Sequence, residues 1–231
     1  MSLNPPRLDG RLATAAAYVR GGLLADVGTD HAYLPVALVL EGRITAAVAS
    51  DIRPGPLDRA RQTVDRYGLG DRVRLVLTDG LHGIDRYEPS DIAVFGMGGE
   101  LISGIIEAAE WVRSPDIRLI LQPMTRRSEL RRYLLSHGFE ITDEAMSKAD
   151  GRIYQTICAE YTGHNTDYSP AELELGRCNI QKGGELYRQY LVQQCRHHAA
   201  IVRARGLDPM SDDAEAVVLR QLENLLAEAH I

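Results

Sequence analysis

Short apolar runs alternate with amphipathic stretches from about residue 8 to residue 162 of the chain. The apolar runs predict seven strands, which are Leu23–Val27, Ala46–Ser50, Val73–Leu77, Ile92–Phe95, Leu119–Gln122, Phe139–Met146 and Tyr154–Glu160. Helical spacing recurs in Leu34–Leu40, Pro56–Tyr67, Leu101–Ala109 and Arg127–His137, and more weakly around Leu81–Tyr87. Strands that alternate with helices indicate parallel βαβ units, so we expect an α/β fold with a Rossmann-like, doubly wound, mainly parallel sheet.

The pattern changes towards the C-terminus. Only a short break separates the last two strands, and its Asp150-Gly151 pair is typical of a hairpin turn, so these strands are predicted to be antiparallel. The turn-rich segment Thr162–Pro170 has the composition of a linker. Beyond it, apolar residues recur only at helical spacing, which predicts an antiparallel helical hairpin of coiled-coil type. The expected domains are residues 1–163 and 164–231.

Composition narrows the class of protein. The 231 residues include 26 basic and 32 acidic side chains, and a net charge of −6 argues against a protein that coats nucleic acid through bulk charge. The window Arg113–Arg132 carries +4 and is either a solvated helix face or a phosphate-binding surface. No run approaches the roughly 20 apolar residues of a membrane helix, and no signal peptide is visible. Three cysteines without metal-type spacing fit a reducing cytoplasm, so we expect neither a membrane nor a metal partner.

Candidate site residues follow the strands, because ligands of an open α/β sheet bind beyond the carboxyl ends of its strands. In chain order these residues are Asp26, Gly28, Asp30 and His31, then Asp51 and Ile52, then Asp79 and Gly80, then Gly96, Met97, Gly98 and Gly99, and finally Gln122. A dinucleotide site needs G-x-G-x-x-G, but the residues after Gly28 lack the second and third glycines, and the carboxylate of Asp30 would repel a diphosphate. A P-loop is also absent, so the sequence disfavours NAD and nucleoside triphosphates.

S-adenosylmethionine (SAM) fits these strand ends better. It has no phosphate, and it carries a cationic sulfonium, an ammonium group and a ribose diol. Asp51 lies 25 residues after Asp26, where a carboxylate typically binds the two ribose hydroxyls. Asp79 is suited to accept from the adenine amino group, and Asp26 or Asp30 to meet the ammonium group.

Each of these features also has a purely structural interpretation. Asp30 is a candidate N-cap of the following helix, His31 a candidate buried histidine, and Asp79-Gly80 a candidate plain turn. The glycines of the segment Gly96–Gly99 either let the backbone approach a ligand or pack a strand against a helix. This segment lacks the [D/N/S]-P-P-[Y/F/W] motif of enzymes that methylate exocyclic amino groups, which disfavours methylation of adenine N6.

Six segments occur in the order and spacing of one known family: ADVGTDHAYLP, SDIRPGPLDRARQ, LTDGL, FGMGGELI, ILQPM and DGRIYQTICAE. From about Arg7 to its C-terminus the chain resembles the TrmK family, bacterial tRNA methyltransferases that modify N1 of adenine 22 with SAM. The resemblance implies a class I SAM-dependent methyltransferase domain followed by a helical coiled-coil domain. It places the cofactor at Gly28, Asp30, His31, Asp51, Asp79 and the Gly96–Gly99 turn. Met124 stands where some relatives have asparagine, and the chain is less basic than many members.

This reaction assigns roles to further residues. Adenine N1 is a competent nucleophile, so the enzyme needs mainly to position the base and to stabilise the cationic product with a carboxylate, first Asp30 and second Glu100. Gln122 is expected to hydrogen-bond the base edge and Tyr33 to stack on the base. Phosphate contacts are expected from the helical hairpin and from Arg126, Arg127 and Arg131.

Two other functions are compatible with the same sequence. One is a SAM-dependent methyltransferase of a small molecule or a protein, and the other is a non-catalytic SAM-binding adaptor that acts through its helical hairpin. The intact acidic strand ends argue against the adaptor. In each case we expect a monomer.

Overall fold

The computed structural model describes residues 4–228 and divides the chain into two compact units, Met1–Thr166 and Asp167–Ile231. The first unit contains one seven-stranded sheet and five α-helices, and the second unit contains helices only within its described residues. No helix among residues 4–228 is long and apolar enough to cross a membrane.

The sheet has the order β3-β2-β1-β4-β5-β7-β6. Its strands are β1 Leu23–Val27, β2 Ala46–Asp51, β3 Val73–Leu77, β4 Asp91–Met97, β5 Arg118–Pro123, β6 Phe139–Ala149 and β7 Arg152–Tyr161. The first five strands run parallel, and β7 pairs antiparallel with both β5 and β6. The predicted doubly wound, mainly parallel sheet with a final hairpin is therefore confirmed. The order changes direction at β1, which places the carboxyl ends of β1 and β4 at the topological switch point.

Helices cover both faces of the sheet. They are α1 Gly10–Tyr18, α2 Tyr33–Leu40, α3 Pro54–Arg66, α4 Gly99–Glu107 and α5 Arg127–Ser136. The residues of α2 from Leu34 to Val39 are all buried, so this helix is enclosed by the core and fixes the turn before it. The weak helical pattern between β3 and β4 yields only a single 3₁₀ turn, Asp85–Tyr87.

Helix α1 was not predicted from the sequence pattern. Four of its nine residues are alanine, which favours a helix but offers no broad apolar stripe. The side chain of Asp9 caps it by accepting the Leu12 amide at 2.9 Å. Ala15 and Ala16 are buried in the main core, so α1 belongs to the sheet unit and is not a loose extension.

The second unit consists of α6 Pro170–Leu175, α7 Arg177–Lys182, α8 Glu185–Ala204 and α9 Ala214–Glu228. Helices α8 and α9 pack on each other, with Leu191 and Leu222 fully buried, and form the predicted helical hairpin. His198 on α8 lies 2.7 Å from a carboxylate oxygen of Glu215 on α9. This contact ties the two arms near the loop that joins them.

Candidate functional site

Backbone hydrogen bonds hold three strand ends side by side. The amides of Gly28 and Thr29, after β1, donate to the carbonyl of Ser50 at 2.8 and 2.9 Å. The amide of Thr78, after β3, donates to the carbonyl of Asp51 at 3.1 Å. The turns after β1, β2 and β3 therefore form one continuous edge of the sheet, as the parallel arrangement predicts.

The turn after β1 has an unusual backbone. Gly28 has φ +79°, a backbone conformation that strongly favours glycine, and a Cβ at this position would also displace the terminal methyl of Met97, 2.3 Å away. Ala32 also has a positive φ, +54°, which is uncommon for alanine. The Thr29 hydroxyl accepts the Ala32 amide at 3.1 Å and stabilises this conformation. The alternative interpretation of Asp30 as an N-cap is therefore wrong, because the N-cap residue of α2 is Ala32 and no side chain caps this helix.

The left-handed conformation of Ala32 brings the rings on either side of it together. His31 and Tyr33 stack with centroids 4.9 Å apart and an interplanar angle of 11°. Both side chains are more than a third exposed. His31 is thus not the buried histidine that one interpretation of the sequence suggested. The stacked pair forms an accessible aromatic surface beside the first turn.

Asp30 carries an ion pair that the sequence did not indicate. Its Oδ1 accepts hydrogen bonds from Nε of Arg59 on α3, at 2.8 Å, and from Nη2 of the same side chain. Its Oδ2 lies 3.5 Å from Nε2 of His31. The Asp30 side chain is 62% exposed, so the carboxylate stays accessible to a ligand although Arg59 partly balances its charge.

A cavity of about 340 Å³ opens beside this turn. It is lined by the first turn of α1, by the segment from Gly28 to Leu34, and by Asp26, Phe95 and Gly96. Asp26 is only 6% exposed. Burial raises the pKa of Asp26 to about 6, and a hydrogen bond from the Thr29 hydroxyl opposes this effect. A buried carboxyl group of this kind is stabilised in its ionised form by a bound cation.

The other acidic strand ends lie along the same edge. Asp51 is 8% exposed, and its Oδ1 accepts the amide of Arg53 at 2.8 Å. The neighbouring Ile52 side chain is exposed. Asp79 and Gly80 line a second cavity, of about 410 Å³, against α4. Of the predicted cofactor residues, Asp79 and Gly80 thus line a different cavity from Asp26, Gly28, Asp30, His31 and Gly96.

The glycine-rich turn after β4 combines both predicted roles. Gly96 has φ +74°, borders the first cavity and has open space where a Cβ would lie. Gly99 instead serves packing, since its Cβ would lie 2.1 Å from the carbonyl oxygen of Arg126. Its amide donates to the Thr125 carbonyl at 2.8 Å, which links the turns after β4 and β5.

Two predicted substrate contacts are wrong because the side chains are fully buried. Arg131 is 0% exposed, and its Nε lies 2.7 Å from Oε1 of Glu144, which is equally buried. It therefore cannot bind tRNA phosphates. Gln122 is also 0% exposed, and its amide nitrogen donates to the Thr156 hydroxyl at 3.3 Å. Gln122 is therefore an internal residue of the sheet, and its side chain is not presented at the surface where the base was expected to meet it.

The other predicted substrate and catalytic residues of the β4 and β5 turns are exposed, except for Arg127, which is partly buried. Arg126 is 60% exposed and contacts Glu129 at 3.0 Å and Glu100 at 3.7 Å. Nη2 of Arg127 donates to the Met124 carbonyl at 3.2 Å, so this side chain is partly committed to its own loop. Glu100 is 72% exposed. Arg126 and Glu100 are therefore neighbours on an accessible part of the β4 and β5 turns.

The donor set of this edge suits SAM. The first turn has neither the glycine pattern nor a lining of cations that a diphosphate requires, whereas it does present a buried carboxyl group to the cavity. Among residues 4–228, no group of three or more His, Cys, Asp or Glu residues is placed to hold a metal ion. The fold and this edge together define the class of the protein, a class I SAM-dependent methyltransferase.

Comparisons with known proteins agree with this class. Residues 8–157 match the family model of the methyltransferase domain. The tRNA (adenine(22)-N(1))-methyltransferase of Bacillus subtilis (strain 168) is 35% identical over 175 residues, which is 75% of this chain and 74% of that protein. This chain belongs to the TrmK family of tRNA (adenine(22)-N(1))-methyltransferases.

Solved structures give the same family. The B. subtilis m1A22 tRNA methyltransferase TrmK matches with a TM-score of 0.80 and 29% identity, over 96% of this chain and 98% of that one. Streptococcus pneumoniae Sp1610, a candidate tRNA (m1A22) methyltransferase solved with SAM, matches with a TM-score of 0.85 and 28% identity, over 95% of this chain and 100% of that one. The likeness covers both units of the chain.

Proposed function

We propose that this protein methylates N1 of adenine 22 in tRNA, with SAM as the methyl donor. The observation that carries the proposal is the acidic edge formed by the first three strand ends, where Asp26 and Asp51 are buried beside a turn that lacks the glycine pattern of a diphosphate site. The membership of the TrmK family supports the choice of substrate, since the curated relative acts on adenine 22 of tRNA.

Side chains from three strand ends hold the cofactor in this proposal. Asp26 takes the ammonium group, Asp51 the ribose hydroxyls and Asp79 the adenine amino group. Close backbone approach comes from Gly28, Ile52, Gly80, Gly96, Met97 and Gly98. When bound there, SAM supplies an electrophilic methyl group on a cationic sulfur.

The protein's own task is to hold adenine N1 in line with that methyl group. The N1 lone pair of neutral adenine is already nucleophilic, so no strong general base is needed, and positioning supplies several kcal/mol of the rate enhancement. N1 lies on the Watson–Crick edge, so the base has to leave its pair or stack before it enters the site. The exposed His31–Tyr33 stack offers a surface for the released base.

A carboxylate near the base stabilises the positive charge that methylation creates. Asp30 fits this role best, because it lies beside the His31–Tyr33 stack and is accessible. Glu100 is the second candidate. Since Asp26 faces the cavity as a buried carboxyl group, it is the better partner for the cofactor's ammonium group, which leaves Asp30 for the base.

The tRNA is bound largely through its phosphates. Arg126 and Arg127 are the predicted contacts on the sheet unit, and α8 contributes the exposed cations Arg188, Arg196 and Arg203. These contacts fix the position of the tRNA without reading its sequence. We further propose that the enzyme works in the cytoplasm as a monomer and without a metal ion. Size-exclusion chromatography with light scattering, and activity in excess chelator, test the last two points.

Incubation with labelled SAM and tRNA that lacks the modification tests the proposed reaction. We expect one methyl group per tRNA, which mapping places as N1-methyladenine at position 22. An adenine-22-to-guanine tRNA is the matched control and should accept no label. The proposal would be contradicted if the label went to protein or to small molecules while the tRNA stayed unlabelled. Tight SAM binding without any methyl transfer would contradict it as well.

Replacement of Asp30 tests its role. Asp30→Asn keeps the size of the side chain but removes its charge, and we expect kcat to fall by about 100-fold while Kd for SAM changes less than threefold. Glu100→Gln is the matched comparison and should change kcat less. Weakened SAM binding with normal kcat at saturation would move Asp30 to the cofactor, and full activity would remove it from the site.

A further inference from the structure

The ion pair between Asp30 and Arg59 uses only one oxygen of the carboxylate. Nε of Arg59 donates to Oδ1 of Asp30 at 2.8 Å, and Nη2 donates to the same atom. Oδ2 takes no part in this pair and lies 3.5 Å from Nε2 of His31. The two oxygens therefore have different surroundings, since Oδ1 meets the guanidinium and Oδ2 meets the ring of His31, which stacks on Tyr33.

Helix α3 holds the backbone of Arg59 in place. The helix begins at Pro54, after the turn that follows β2. Leu57 and Ala60 are buried, and Ala60 belongs to the main core. The Thr63 hydroxyl donates to the Arg59 carbonyl at 3.3 Å. Arg59 therefore reaches the first turn from an element that is packed against the sheet.

The stability of the fold depends little on this pair. The Arg59 side chain is 45% exposed and that of Asp30 62%, and ion pairs this exposed add little to the free energy of unfolding. The backbone of the turn is fixed by other contacts, namely by the Thr29 hydroxyl and by the buried helix α2. What the pair does determine is the direction of the Asp30 side chain, because two donors on one oxygen oppose its rotation between staggered rotamers.

The direction of this carboxylate matters because methyl transfer moves a positive charge. The N1 lone pair forms the new bond to carbon while the carbon–sulfur bond breaks and its electrons stay on sulfur, so the charge passes from the cofactor to the adenine. A carboxylate oxygen stabilises this charge most effectively when it is already held towards the base before the reaction. The oxygen on the side of the His31–Tyr33 stack is Oδ2 of Asp30.

We propose that Arg59 is a positioning residue for methyl transfer. By holding Oδ1 from the α3 side, it keeps Oδ2 of Asp30 directed towards the base on the His31–Tyr33 stack. This inference rests on the role of Asp30 in the function proposed above and adds the residue that orients it. Arg59 itself contacts neither the base nor SAM in this proposal, so its removal should slow the reaction without weakening the binding of either ligand.

Methyl transfer to unmodified tRNA by the full-length protein, together with calorimetric titration of SAM, tests the proposal. Arg59→Ala should lower kcat by about 10- to 100-fold, because a displacement of the reacting groups by about 1 Å has effects of this size. KM for tRNA and Kd for SAM should change less than about threefold. Arg59→Lys keeps the charge and should recover part of kcat. Arg61→Ala, which removes an exposed arginine of the same helix, is the matched control and should keep full activity.

A double-mutant cycle shows whether Arg59 acts through Asp30. Asp30→Ala leaves no carboxylate to orient, so adding Arg59→Ala to it should change kcat less than about twofold. Circular dichroism and melting temperatures check that each variant is folded, as the exposure of the pair predicts. If Arg59→Ala does not fold, Arg59→Gln takes its place in the cycle.

Other outcomes would contradict the proposal. Equal losses of kcat with and without Asp30 would mean that Arg59 acts independently of this carboxylate. A raised KM for tRNA with kcat unchanged would assign Arg59 to a tRNA phosphate. If the wild-type protein methylated tRNA and Arg59→Ala did so equally well, only the role of Arg59 would fail. If the wild-type protein methylated no tRNA, the proposed function itself would fail.

Discussion

At the scale of single residues, the carboxyl groups of the site differ in how their charge is balanced. Asp30 has a cationic partner on α3, and Asp51 accepts a backbone amide. Asp26 lies against the cavity with burial as the dominant influence on its pKa. Asp26 is therefore the carboxyl group whose charge the protein balances least, and a cation of a ligand would stabilise it most.

This imbalance predicts a pH-dependent effect of Asp26→Asn. The folded-state pKa of about 6 is higher than the value of about 3.9 in an unfolded chain. The folded state thus binds more protons between these values, and the free energy of unfolding falls as pH rises through that range. Asp26→Asn should raise the free energy of unfolding at pH 7.5 by up to about 3 kcal/mol, with no gain at pH 3.

The same substitution should weaken SAM binding by at least tenfold at pH 7.5, in roughly the range of a lost charge-assisted hydrogen bond. For the wild-type protein, SAM affinity should fall as the pH drops below about 6, because Asp26 then becomes protonated. Denaturant titrations and calorimetry at several pH values measure both effects. Asp58→Asn, on the exposed side of α3, is the control and should show neither. An Asp26→Asn protein that is less stable at pH 7.5 would contradict this view of Asp26.

Some of the site could be read from the sequence because strand ends of a parallel sheet share one edge. That rule located Asp26, Asp51 and Asp79 without any knowledge of their neighbours. It could not find Arg59, since its contact with Asp30 depends on how α3 packs against the turn and leaves no spacing in the chain. The sequence also did not show which side chains are buried. Arg131 has the same side chain as its neighbours Arg127 and Arg132, and only the packing of the structure distinguishes them.

At the scale of secondary-structure elements, α5 illustrates this distinction. Its arginines lie on one amphipathic helix but on different faces. Arg131 points into the protein and pairs with Glu144 on β6, whereas Arg132 is exposed. A buried ion pair of this type contributes to specifying the packing of α5, and removal of one partner leaves a buried charge uncompensated.

Arg131→Ala should therefore lower the free energy of unfolding by about 3–5 kcal/mol. Arg132→Ala, the matched control on the same helix, should change it by less than about 0.5 kcal/mol. Chemical denaturation measures both. If Arg131→Ala were as stable as the control yet bound tRNA poorly, its assignment as an internal residue would have to be withdrawn.

Helix α4 offers a second matched pair. Gly99→Ala should destabilise the protein by several kcal/mol, because its Cβ would lie 2.1 Å from the Arg126 carbonyl and force the α4 and α5 turns apart. Gly104→Ala, in the same helix with open space at its Cβ, should stabilise the protein by about 0.5–1 kcal/mol. Thermal melts of the two variants provide the comparison. Equal changes of the melting temperature in the two variants would show that the α4 and α5 turns can move apart at little cost in stability.

Element boundaries followed the sequence wherever apolar residues were regular. The prediction for β1 and β3 was the same as the observed range, and those for α2 and α5 differed by one residue. The spacing of apolar residues did not predict α1, because its alanines have a high helix propensity but do not form a strong apolar stripe. It also failed after β3, where the segment near Leu81 forms consecutive turns with local backbone hydrogen bonds and not an α-helix.

At the scale of the whole molecule, the net charge of the protein has the same sign as that of its proposed substrate, tRNA. A protein with a charge of −6 repels a polyanion on average, so tRNA binding depends on local cations such as Arg126 and those of α8. We expect KM for tRNA to rise steeply with salt while KM for SAM stays nearly constant. Arg126→Ala should make the logarithmic salt slope of tRNA binding smaller by about one. A salt-independent KM for tRNA would exclude phosphate contacts as the main source of affinity.

The position of β7 in the sheet also affects the synthesis of the protein. This strand is the last in its unit to leave the ribosome, yet it lies between β5 and β6. Until Arg152–Tyr161 has emerged, one side of β5 exposes unpaired backbone amides and carbonyls, and β6 has no neighbour. A nascent chain that is halted before this point therefore exposes an unpaired strand edge, which promotes aggregation with other proteins. The sheet can be completed only when the unit is almost fully translated.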